Sequence, residues 1–310
     1  MWRYILRRVV AFIPVLLGVS FIIFLLLYMT PGDPARMLLG DMATEDRVQA
    51  LRQEMGLNDP FFVQFGRYIL NALQGDIGRS YITKHPVTGE ILAAFPATLK
   101  LAIFSVIVAI VLGIPLGIVS AIRQYSLFDT VAMVFALVGI SMPVFWLGLL
   151  LILFFSVHLG WFPASGFDSF RAMVLPAVTL STPSLAVISR MTRSSMLEVI
   201  RQDYIRTARA KGQKESVVIW RHALGNALIP IVTIVGLQFG GLLEGAVLTE
   251  SVFSVPGVGR LMVEAIKTRD YPLVQGGVLY MAVAFSLINL LVDIVYAYVD
   301  PRIKAQYQGR

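Results

Sequence analysis

The sequence contains no cysteine. That absence removes disulfides, thiolate nucleophiles, Cys-ligated zinc and iron-sulfur clusters together, and it leaves the redox state of the compartment unread. Histidine is scarce: His85, His158 and His222 fall in three separate segments, with no H-E-x-x-H spacing, and they read as surface or interfacial residues, not metal ligands. No G-x-x-x-x-G-K-[ST] loop is present to cradle a nucleotide phosphate, and no G-x-S-x-G elbow to present a serine. A membrane-embedded enzyme built from this chain would lack both nucleophile and metal. Charge is scarce as well: Asp, Glu, Lys and Arg make up 15% of the 310 residues, against about 25% in a soluble domain.

What the chain has in abundance is apolar sequence. Hydrophobic residues account for 57% of it, and the mean hydropathy of +0.75 is that of an integral membrane protein. The net charge of +7 does not indicate nucleic-acid binding, because the basic residues cluster between apolar spans, where they orient a membrane protein.

A membrane span needs about 20 mostly apolar residues. Six segments meet that length: 9–29, 98–122, 131–157, 172–189, 227–249 and 274–299. The first follows a basic start, but its run is too long for a signal-peptide core and no A-x-A-like site follows, so it reads as a retained span. The fourth holds Pro176, Pro183 and several hydroxyls, which suits a helix buried among others.

The basic residues set the expected orientation. Arg3, Arg7 and Arg8 precede the first span, a basic cluster fills 190–226, and Arg302, Lys304 and Arg310 lie in the tail. These belong on one side, so both termini are expected to be cytoplasmic, residues 30–97 external, and 250–272 an external cap between spans five and six. Two short helices are expected within 30–97, at "DRVQALRQEMGL" and "PFFVQFGRYILNAL". The cap is broken by Pro256, Gly257 and Gly259. The whole chain reads as one membrane domain.

Acids at membrane depth are functional candidates because they are expensive there. Glu244, Glu250 and Asp293 qualify, with Asp129 at an inner edge. Two readings stay open: these acids, with the amide of Asn289, line a solute pathway, or they are structural groups bonded to partners such as Thr249 and Asn289. No Lys or Arg at matching depth suggests a charge relay. Gly113/Gly117, Gly236/Gly240 and Gly241/Gly245 are G-x-x-x-G pairs, a spacing that lets helices approach closely.

The segment "DYIRTARAKGQKESVVIWRHALGNA" (203–227) is the anomaly, being basic and Ala-rich between two apolar spans. Met196, Ile200, Tyr204 and Ala208 recur at i, i+4 and form an apolar stripe, with Arg206 and Arg209 pointing elsewhere. Gly212 is placed to end the helix in a left-handed conformation, and a second helix is expected from about Ser216. The small Ala208 and Ala210 suit close approach to a protein surface; the alternative is a basic amphipathic segment lying on anionic lipid.

With these pieces in place, the chain resembles the inner-membrane permease subunit of a bacterial peptide-type ABC importer, of the dipeptide and oligopeptide "B" kind. The resemblance runs nearly end to end through "TPGDPA" (30–35), "QFGRYILNALQGDIGRS", "FPATLKLA", "DYIRTARAKG" (203–212), "HALGNALIPIVT" (222–233), "LLEGAVLTESVFSVPGVGRL" (242–261) and "DPRI" (300–303). It implies a type I permease architecture of six spans in the cytoplasmic membrane, with a coupling helix between spans four and five that sits in a cleft on an ATPase subunit. Tyr204, Arg206, Ala208, Arg209 and Gly212 are then the docking residues. Ala208 and Gly212 match the family's loop pattern, whereas Arg206 replaces its glutamate, Thr207 its first alanine, and Gly225 stands near the place of its proline. The implied partners are a homologous second permease, two ATPase subunits that bind ATP and Mg, an external substrate-binding protein and membrane lipid. The chain itself performs no chemistry. A self-sufficient secondary transporter would call for inverted repeats, and none is evident.

Overall fold

The computed structural model describes residues 2–40 and 42–299; the tail with Arg302, Lys304, Arg310 and the "DPRI" stretch lies outside the described residues. Apart from one antiparallel bridge between Arg79 and Pro86, every regular element described is helical. In chain order these are α1 (Trp2–Met29), α2 (Pro34–Leu39), α3 (Glu45–Glu54), α4 (Phe61–Leu73), α5 (Val87–Ile122), α6 (Leu127–Ser141), α7 (Val144–Leu151), α8 (Phe170–Ile200), α9 (Asp203–Ala210), α10 (Glu215–Val217), α11 (Leu224–Phe253), α12 (Val258–Lys267) and α13 (Tyr271–Val299). Stretches of π-helix extend α7 over Ile152–His158 and join α10 to α11 over Val218–Ala223.

Among the described residues, five helices are long and apolar enough to cross a membrane, or up to seven spans if each of two bent pairs is counted. The six expected spans fall within that range, but the third is not one straight helix. It is α6 and α7, bent by 109°. The cause is local: Pro143 has no N–H, and the residue before it, Met142, is driven out of the helical region to φ −81°, ψ 129°.

Two compact units make up the chain, one of residues 97–259 with 288 onward, the other of 2–96 with 260–287. In the first, α8 is the core helix: 61% of its apolar window is buried, against 11% for α1 of the other unit. Its Thr179 and Thr182 hydroxyls bond the carbonyls of Leu175 (2.8 Å) and Val178 (2.7 Å), in the turns bracketed by Pro176 and Pro183. Helix α5 lies against it through Gly113 and Gly117. A Cβ on Gly113 would stand 3.0 Å from the Leu185 carbonyl, and one on Gly117 2.6 Å from the Thr192 Cβ. This G-x-x-x-G pair serves packing within the chain. Gly139 and Gly148 play the same part for α6 and α7, with would-be contacts of 3.0 Å to Thr182 and 3.1 Å to Phe253. We therefore expect Gly117→Val to drive α5 off α8, costing about 1–3 kcal/mol or more as overpacking does. Thermal melting of the detergent-solubilised protein would show it, and the open Gly225, with nothing near its would-be Cβ, should accept Ala with little loss.

In the second unit the expected two short helices are three. Besides α3 and α4 there is α2, six residues long, started by Pro34 and capped by Asp33, whose carboxylate accepts from Ala35 N (3.1 Å) and pairs with Arg52 (3.1 Å). That capping chemistry is the local meaning of "TPGDPA". Further along, the buried Asp270 accepts from Ser80 Oγ and Tyr81 N (3.0 Å), while the Ser80 oxygen accepts from Thr83 N (3.0 Å). The turn before α5 is thus tied to the start of α13. Burial, with the Asp270 carboxylate and Tyr271 close by, pushes the Tyr81 phenol up to about 12.

Candidate coupling segment and comparison with known proteins

The basic stretch folds as a helix, a turn and a second helix, all within the first unit. Helix α8 stops at Ile200, with Arg201 and Gln202 leaving the helix before α9 begins at Asp203. The apolar stripe expected through Met196, Ile200, Tyr204 and Ala208 is therefore interrupted. Its second half is re-phased by the break, so Ile205, not Tyr204, is the buried anchor. Ile205 is fully buried, in a cluster with Met196, Val218, Ile219, Ala223, Ala227 and Ile231, and Ala208 packs against the same cluster. Tyr204 is 44% exposed, and the side chain of Arg206 is 75% exposed. The helix thus presents Tyr204 and Arg206 outward from a seat made by Ile205 and Ala208.

Gly212 ends α9 as expected, at φ +75°, with its N–H bonded to the Arg209 carbonyl (2.9 Å). Lys214 returns to extended backbone and α10 follows at Glu215. Nothing lies within 4 Å of a would-be Cβ on Gly212, so its requirement is conformational and not steric.

Arg209 spans the turn. Its Nε and Nη2 reach the Glu215 carboxylate at 3.1 and 2.6 Å, a two-pronged pair that holds α9 against α10 and raises the affinity of the guanidinium for its proton. The sequence placed Arg209 on an outer face, free for a partner; the structure gives it an internal partner. Both side chains are over a third exposed, so the pair is worth at most about 1 kcal/mol. Arg209→Ala should leave folding nearly unchanged but loosen the turn, seen as faster hydrogen exchange at Lys211 to Glu215 that is matched in the wild type by raising salt.

A second clamp lies close by in sequence on α8. Arg193 makes a forked pair with Asp129 of α6, both contacts at 2.7 Å, with the Asp129 side chain only 4% exposed. The same carboxylate accepts from Tyr125 N (3.0 Å), and Arg201 reaches Gln124 (3.2 Å). The turn between α5 and α6 is thus fixed to the end of α8 that leads into α9. No local pattern pairs residues 64 apart in the chain, so the sequence could mark Asp129 but not its partner.

Of the four pathway candidates, Glu250 and Asn289 are the ones whose side chains are described. Glu250 is fully buried near the end of α11, its carboxyl against Gly257 and Gly259, where a Cβ on either glycine would come within 3.0 Å of it. Ser254 closes α11 in the left-handed region at φ 54°. Asn289 is half-buried on α13. The side chains of Glu244 and Asp293 lie outside the described residues.

Comparison with known proteins places this geometry. Residues 113–305 match the family described as "binding-protein-dependent transport system inner membrane component", and residues 1–102 match the N-terminal family of the same membrane components. The chain belongs to this family of ABC importer permeases. It is 46% identical to the dipeptide transport system permease protein DppB of Alkalihalophilus pseudofirmus, over 98% of this chain and 100% of that one. It is 45% identical to the glutathione transport system permease protein GsiC of Escherichia coli K12, over 98% and 99%. Among solved structures, a chain of the MetNI methionine ABC transporter in an inward facing conformation aligns at TM-score 0.56 and 19% identity, covering 68% of this chain and 96% of that one. An amino acid ABC transporter aligns at 0.52 and 17%, covering 69% and 94%. These likenesses show the fold, that of a type I importer permease. The chain is a multi-pass inner-membrane permease subunit of an ABC importer.

Proposed function

We propose that this permease carries short peptides or solutes of similar size, and that it forms half of a pathway shared with a homologous second permease. The observation that carries the substrate class is the near-full-length identity to two permeases named for dipeptide and for glutathione, itself a tripeptide. Two separate ATPase subunits bind ATP and Mg and hydrolyse the nucleotide; an external binding protein delivers the solute. Tyr204, Arg206, Ala208 and Gly212 form the coupling surface that follows ATPase movement, with Arg209 fixing the turn behind them. The seat of α9 on Ile205 supports this, since a lever must move with the helices that feed it. Glu244, Glu250, Asn289 and Asp293 are kept as pathway candidates, with Glu250 placed to hold the corner after α11.

The reading is tested by reconstituting the four-subunit complex with its binding protein in liposomes. ATP-dependent uptake of a radiolabelled di- or tripeptide is expected; uptake by this chain alone, without ATPases, would mark a secondary transporter instead. The proposed topology puts both termini and 190–226 in the cytoplasm, and 30–97 and 250–272 outside. A cysteine in place of Asp59 should react with an impermeant maleimide in cells whose outer barrier has been opened, and one in place of Lys214 should not. The reverse pattern would invert the orientation.

A further inference from the structure

Helix α4 carries more exposed apolar surface than a water-facing helix tolerates. Phe62 is 76% exposed, Leu70 60% and Leu73 80%, with Val63 at 49%. At 100° per residue these fall on one arc, next to a second arc of Phe61, Phe65 and Tyr68. Only a narrow strip is polar, formed by Gln64, Arg67 and Asn71. The strip is turned toward the preceding loop, where Gln64 donates to the carbonyls of Leu57 (3.1 Å) and Asp59 (2.8 Å) and Arg67 pairs with Asp59.

The aromatic arc fixes where α4 lies. Phe61 packs edge-on to Phe24 (5.3 Å between centroids) and Tyr28 (5.1 Å), and Phe65 to Phe21 and Phe24 (both 5.5 Å). These partners belong to α1, a membrane span whose apolar window is only 11% buried. At 1.5 Å per residue, Phe21 is roughly 12 Å below the Met29 end of that span. A leaflet's hydrocarbon is about 15 Å deep. A helix stacked along Phe21 to Tyr28 is therefore level with the acyl chains, not with bulk water.

We propose that α4 is an interfacial membrane helix, sunk in the leaflet nearest Met29 with Phe62, Leu70 and Leu73 among the lipid acyl chains and the Gln64–Arg67–Asn71 strip toward headgroups and water. The occupant of the exposed arc is lipid, because the arc is continuous around the helix with the surface seated on a lipid-facing span. It also carries no charge with which a polar partner could engage. A broad apolar face opposite a polar strip suits a helix lying in the interface, with its apolar side buried about 5–10 Å into the headgroup and acyl boundary. The inference requires α1 to cross the membrane but not the proposed substrate, partners or orientation.

The absence of cysteine makes the test direct. Single cysteines at 62, 70, 73, 67 and 71 of the full chain are nitroxide-labelled and reconstituted in vesicles of phosphatidylcholine and phosphatidylglycerol, with 26 on α1 as the lipid reference. Collisional access to oxygen and to a water-soluble nickel chelate is then measured by power saturation. At 62, 70 and 73 oxygen should outweigh nickel several-fold, as at 26, and the order should reverse at 67 and 71. Nickel dominance at 62, 70 and 73 would put that face in water and overturn the proposal. Protection from both reagents would do the same, by showing that protein covers it. All these positions carry exposed residues in the folded chain, and retention of the wild-type melting temperature confirms each variant as folded.

Discussion

Replacing Asp129 with alanine is expected to destabilise the folded permease by about 3–5 kcal/mol, the usual cost of removing one partner from a buried ion pair. Arg193 would be left with a three-quarters-buried guanidinium facing a void, and Tyr125 N would lose its acceptor. Melting of the detergent-solubilised chain should fall by on the order of 10 °C. Arg193→Lys should not preserve the wild-type value, since an ammonium cannot reproduce two parallel contacts at 2.7 Å. The double change Asp129→Leu with Arg193→Met should recover much of the loss, because both desolvated charges go together. If Asp129→Ala melted within a degree or two of wild type, the clamp between α6 and α8 would be idle.

Gly212→Val is expected to abolish most transport while leaving the protein folded. A β-branched residue strongly resists φ +75°, and the left-handed region costs an L residue roughly 1–2 kcal/mol. No neighbour is struck, so the strain is relieved by rotating the turn and with it α9. A coupling equilibrium displaced by that energy loses about tenfold in the competent population. Peptide-stimulated ATP hydrolysis and uptake in the reconstituted importer should both fall about that much, with melting and assembly with the second permease preserved. Gly212→Asn should be much milder despite its size, because asparagine tolerates the left-handed region. Equal activity in the Val and Asn variants would show that the turn's conformation does not matter.

These two sites also mark how far the sequence could be read. The end of α9 was legible because its cause is local: a glycine after a basic last turn has one common meaning. The apolar spans were legible because lipid demands length and hydropathy, and little else. The break at Pro143 was visible as a residue but hidden by the run of apolar sequence on both sides. The stripe through Tyr204 failed for the opposite reason, since Arg201 and Gln202 carry no strong stop signal and the periodicity appeared to run on. Ile205 became the anchor only because Met196, Val218 and Ile231 converge on it from other helices. Likewise the G-x-x-x-G spacing at Gly113 and Gly117 announced a close helix contact without saying whose. Its partner, α8 of the same chain, is a fact of tertiary structure.

The proposed coupling to ATP requires α9 to be the surface that meets an ATPase. A photoreactive maleimide placed on a single cysteine at 206, otherwise 75% exposed as arginine, tests it in the assembled importer in native-like vesicles. Irradiation should yield an adduct with the mass of this chain plus one ATPase subunit, its yield changing with added ATP. Adducts confined to lipid, with none to an ATPase while the complex remains assembled, would contradict the assignment and leave α9 as a segment lying on the membrane surface.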